Sequence, residues 1–148
     1  MKLFQSVLLI IMSTGCSSIT LQPGDFSWPI ETVLKVDEKG FITEDRYSFS
    51  VNVRPLFQEE FADSAAAAGK EIRMIRDQSG FYFITGEGFK NVYLFLPIEA
   101  GLEMGDAISI SDSLALSAPL FNQKSPNIEL LDGPRKYLLH NSGTVRQL

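Results

Sequence analysis

The chain has one cysteine in 148 residues, so no disulfide forms within it and no thiolate cluster can hold a metal. It has one histidine, His140, which rules out the common imidazole-rich metal sites. A catalytic histidine needs a nucleophile or an orienting carboxylate, and nothing around His140 supplies one. No Gly-x-Ser-x-Gly motif occurs, and no run of Lys or Arg. With a formal charge of −5 and no basic stripe, nucleic-acid binding is excluded as an expectation. No apolar run approaches the roughly 20 residues that a membrane-spanning helix needs.

Other patterns also fall short. The acidic pairs Asp37-Glu38, Glu44-Asp45 and Glu59-Glu60 lack the spacing of a calcium loop, and they read as solvated turns and helix-end charge. Gly86-Glu87-Gly88-Phe89 has Asn91 where a phosphate-binding loop places its third glycine, so a turn between strands is expected. No cofactor and no metal site are expected.

What is present begins at the N-terminus. Met1-Lys2 is a short positive segment. Val7-Leu8-Leu9-Ile10-Ile11-Met12 is an apolar core, and Ser13, Thr14 and Gly15 are small. This is the shape of a secretory signal peptide. Gly15-Cys16 after such a signal resembles the lipobox of bacterial lipoproteins, with Ser13 departing from the family's usual aliphatic residue. The resemblance covers about 16 residues. It implies cleavage before Cys16, acylation of its thiol and amino group, and anchoring in a membrane. Each buried CH₂ of an acyl chain contributes about 0.8 kcal/mol, so several chains hold firmly. Ser17 stands where that family's inner-membrane retention signal places Asp, which implies the outer membrane of the cell envelope. The expected organisation is a signal peptide over 1–15, a lipidated tether over 16–25 and one domain over 26–148.

The domain is rich in aromatics, with eleven Phe and four Tyr, which favours a β core. Strands are expected over 30–38, 47–53, 71–76, 81–85, 92–96, 107–111, 128–131, 137–140 and 144–148. Tyr47, Phe49, Val51 and Val53 alternate with Ser48, Ser50 and Asn52, the period of a strand buried on one side. Phe81-Tyr82-Phe83-Ile84 and Val92 to Leu96 are apolar on both faces and belong at the centre of a covered sheet. One helix is expected over about 58–68, with Ala65 to Ala68 favouring it and Gly69 stopping it. The class is mostly β: an antiparallel β-sandwich or small barrel with one short helix.

No titratable cluster converges in the sequence, so a non-enzymatic role is expected. The leading expectation is a membrane-anchored envelope lipoprotein that docks a protein partner as an interaction or assembly module. The uncharged rows Ser48, Ser50, Asn52 and Ser109, Ser111, together with Trp28, are the candidate interaction residues, because small polar groups desolvate cheaply when paired. Two alternatives stay open: a small carbohydrate- or lipid-binding module, and a hydrolase with a facing carboxylate pair.

Overall fold

A computed structural model describes residues 30–46, 48–99 and 101–148. The fold is mostly β and antiparallel. Five strands form the larger sheet: β1 (Thr32–Lys35), β4 (Glu71–Arg76), β5 (Tyr82–Gly86), β6 (Asn91–Ile98) and β7 (Gly101–Ser109), in that spatial order. A second sheet holds β11 (Val145–Gln147), β10 (Arg135–Leu139), β9 (Asn127–Asp132) and β8 (Pro119–Lys124). A small hairpin, β2 (Phe41–Glu44) with β3 (Phe49–Asn52), is followed by the helix α1 (Arg54–Phe61) and a 3-10 turn over Ser64–Ala67. Both large sheets stay open, each with two edge strands, so the architecture is sandwich-like rather than a closed barrel.

The five-stranded sheet is the middle layer, because its strands are apolar on both sides. On β5, Tyr82 and Ile84 point into one core, while Phe83 points into the other. On β6, Tyr93 and Phe95 alternate with Val92 and Leu94 in the same way. The first core is closed by the β2–β3 hairpin and α1 through Ile42, Val51, Val53, Leu56 and Phe57. The second is closed by the four-stranded sheet through Phe121, Ile128, Leu130, Tyr137 and Leu139. All five residues of β5 are buried, as its two-sided apolar run predicts.

The helix departs from the expectation. It runs over 54–61 instead of 58–68, and Pro55 lies in its first turn, where the missing N–H costs no bond. Ala62 takes the left-handed conformation and ends it. The Asp63 carboxylate then accepts a hydrogen bond from the Ala65 N–H and starts the 3-10 turn, which takes up Ala65 to Ala67. Propensity is a weak prior beside such contacts. Glu59 and Glu60 lie near the helix C-terminus, not at its positive end, and Glu60 is held there by bonds to the β5–β6 turn.

Two strands carry weak signals and were not expected. β2 contains Glu44, a buried carboxylate that accepts from the Arg46 side chain and backbone N–H. β8 begins with a proline and ends in polar residues. β6 also runs on past Pro97. Beyond Phe95 it has lost β5 as a neighbour and pairs only with β7, so the proline breaks no ladder on its other side.

Candidate functional site

Where β6 outruns β5, the β6–β7 hairpin leaves the sheet. Tyr82 of β5 pairs with Phe95, while β6 and β7 continue pairing out to Ile98 and Gly101. Leu96 and Ile98 point to one face of this projecting tip and Leu102 to the other, the face shared by Met104 at its base. Leu96 is 37% exposed, Ile98 49% and Met104 47%. One extra residue on β7 between Met104 and Ala107 makes a bulge opposite Tyr93 and Phe95. Bulges bend and twist a strand and spoil an edge for pairing. Gly105 lies in this irregular stretch, and a Cβ there would come within 2.8 Å of Leu96 Cδ1. The glycine thus lets the leucine side chain lie across the hairpin.

Under the tip lies an open groove of about 430 Å³ against the β2–β3 hairpin. Phe49, Tyr82, Pro97 and Leu102 supply its apolar surface, and Ser48 and Ser50 stand at its rim. Phe49 meets Tyr82 edge-on with ring centroids 5.2 Å apart. Ser48 has φ near 54°, so it belongs to the turn before β3 rather than to the strand. The Ser50 hydroxyl donates to the Ile42 carbonyl at 3.2 Å, and Asn52 accepts from the Arg54 N–H at 3.1 Å.

Ser109 and Ser111 lie elsewhere. Ser109 pairs with Asn91 at the opposite end of β7. Eight residue steps at about 3.3 Å separate it from the tip by roughly 26 Å. Ser111 is past the end of the strand, and its hydroxyl accepts from the Leu114 N–H in a local turn. The two serine rows therefore do not form one face. Cys16 and Trp28 lie outside the described residues.

A larger open groove of about 770 Å³ occupies the opposite end of the sandwich. It runs between Phe61 at the end of α1, Gly88 in the β5–β6 turn and Ser117 in the loop before β8. Lys70, Glu71 and Glu87 edge it. Its walls are tied by two carboxylates, the half-buried Glu60 and the buried Asp132. Glu60 accepts from the backbone N–H groups of Lys90 and Asn91, the Asn91 side chain and the Tyr93 hydroxyl. Asp132 accepts from Ser117 N–H, Ser117 Oγ and Ala118 N–H, and pairs with Arg135. Burial alone would raise the Asp132 pKa. The Ala118 and Ser117 hydrogen bonds and the Arg135 charge outweigh it and hold the carboxyl below its usual range.

The remaining candidates are local. His140 Nδ1 accepts from the Ser142 N–H at 3.1 Å and lies 2.8 Å from the Ser142 hydroxyl, a turn interaction. Asp37 accepts from the N–H groups of Lys39 and Phe41 in the turn before β2. Among the described residues no three His, Cys, Asp or Glu side chains gather as a metal site. The exposed tip residues were not foreseen. Their signal in the sequence is slight, since only Ile98 follows Pro97 before Glu99 and the proline reads as a strand end.

No protein-family model matches the chain, and no curated protein or solved structure gives a significant match.

Proposed function

We propose that this protein is a lipid-anchored module of the bacterial cell envelope that docks a protein partner through the β6–β7 tip. The observation that carries the reading is the projection of Leu96 and Ile98 from a hairpin that has outrun its sheet, with Met104 exposed on its other face at the last step still paired to β5. Leu102 packs the hairpin against the first core, while the exposed apolar area of Leu96 and Ile98 stabilises nothing in the free protein. The adjoining groove adds Phe49, Tyr82 and Leu102 beside the Ser48 and Ser50 hydroxyls. With Glu99 also lining the groove, the patch has an apolar centre and a polar rim, the usual composition of a docking surface. The lipobox-like Gly15-Cys16 supports the anchor, and Ser17 after it supports the outer membrane as the address.

The role is non-catalytic in this reading. It is tested by solubilising membranes that carry the anchored protein in mild detergent and identifying what co-purifies. A defined partner should be recovered with the natural chain and lost with Leu96→Asp combined with Ile98→Asp. Recovery of the same partner by the double variant defeats the reading.

A further inference from the structure

We propose that the groove at the end away from the tip binds a neutral oligosaccharide, an activity separate from docking through the β6–β7 hairpin. A pre-formed aromatic platform is the first reason. Phe61 is 42% exposed, although one side of its ring is fixed. It packs 5.7 Å from both Phe57 and Phe89, and Phe89 in turn packs edge-on against Tyr93. Gly88 makes room for it. A Cβ on Gly88 would lie 3.1 Å from the ring, and φ near 85° also favours glycine there. The open side of the ring borders the groove.

The second reason is the polar rim. The side chains of Lys70, Glu71 and Glu87 make no hydrogen bond or ion pair among the described residues, so their heads are open to a ligand. Arg73 is committed to Glu31 at 2.9 Å, and Asp63 partly to Ala65. One free cation against the carboxylates of Asp63, Glu71 and Glu87 disfavours phosphate and anionic headgroups. Lys70, Glu71, Arg73, Glu87 and Asp63 line the groove along with its apolar residues, which does not suit an acyl chain. A neutral sugar fits both features. Its C–H face packs on the ring, and its hydroxyls donate to carboxylates and accept from Lys70.

The third reason is rigidity. Gly88 N–H donates to the Leu116 carbonyl at 2.7 Å, and Leu116 N–H to the Phe89 carbonyl at 2.8 Å. With Asp132 holding Ser117 and Ala118, the facing walls are locked before any ligand arrives. A pre-ordered site loses little entropy on binding.

The test uses the full chain in a zwitterionic detergent, titrated with chitotetraose, cellotetraose and inorganic phosphate by calorimetry and by amide NMR shifts. At least one tetrasaccharide should bind at about millimolar Kd or tighter, with shifts centred on Gly88 and Ser117. Phe61→Leu should weaken that binding roughly tenfold, and Ile98→Ser should leave it unchanged. If Phe61→Leu does not fold, Glu87→Gln serves instead, with a loss of roughly fivefold. The inference is overturned if neither sugar binds, if phosphate competes for the groove, if the shifts lie elsewhere, or if the variant that folds binds as the natural chain does.

Discussion

The Tyr93 hydroxyl donates to Glu60 Oε1 at 3.0 Å, joining a core strand to the last turn of the helix. The same carboxylate accepts the N–H groups of Lys90 and Asn91 at 2.8 and 3.0 Å. One side chain thus satisfies the turn and the tyrosine together, and it fixes α1 over the first core. Glu60→Gln should cost about 2 kcal/mol, since an amide accepts less strongly and places an N–H group against other donors. Urea unfolding at neutral pH measures it.

Burial, and then the Glu60 charge, push the Tyr93 pKa above the tyrosine range. The folded chain therefore keeps this proton beyond the point near pH 10 at which an unfolded tyrosine releases it. The stability from the neutral buried phenol is complete below about pH 10 and is lost as pH rises towards the folded value. Absorbance titration should show one tyrosine ionising late in the natural chain and earlier in Glu60→Gln.

Asp132 has the opposite sign. Its folded pKa is depressed, so its contribution is present above the unfolded value near pH 4 and falls as acid protonates the folded carboxyl. Asp132→Asn leaves Arg135 largely buried without its anion and should cost about 3 kcal/mol at pH 7. The gap in urea midpoint between the variant and the natural chain should hold above the unfolded value and shrink as pH falls through the lower folded value.

The tip variants should separate docking from folding. Leu96→Asp and Ile98→Asp change exposed side chains, and each should shift stability by no more than about 0.5 kcal/mol. Phe83→Ala, in the fully buried β5, should cost about 4 kcal/mol. Thermal unfolding of the three variants side by side tests the contrast.

Cys16→Ser should abolish incorporation of labelled palmitate and leave the chain unprocessed or released from the membrane. Wild-type protein that takes up no acyl label contradicts the anchor.

The sequence patterns that place the sheets are those where one strand packs against much else. Phe81 to Ile84 and Val92 to Leu96 are legible as central strands because both faces are apolar. The β4–β5 turn is legible in Asp77-Gln78-Ser79-Gly80, where Asp77 caps the Phe81 N–H. The helix is misplaced because its position is decided by long-range bonds from Glu60, 30 residues or more from their partners, while four alanines dominate any local score. β2 hides behind the buried Glu44, whose partner Arg46 is invisible to an alternation pattern. Neither groove is legible, because each joins segments distant in the chain, such as Phe61, Gly88 and Ser117. Of the serines picked out by alternation, Ser50 lies on β3 and Ser48 in the turn before it. The apolar tip beside them depends on where β5 stops, and that is set by register.

The most direct test of the docking role is photo-crosslinking in cells, with the reactive residue placed at Ile98 and, in a second strain, at Met104 of the anchored protein. One discrete protein adduct, common to both positions and absent when the probe is placed at exposed Lys39 at the other end of the sandwich, is the predicted result. No adduct from the tip, or the same adducts from Lys39, contradicts it.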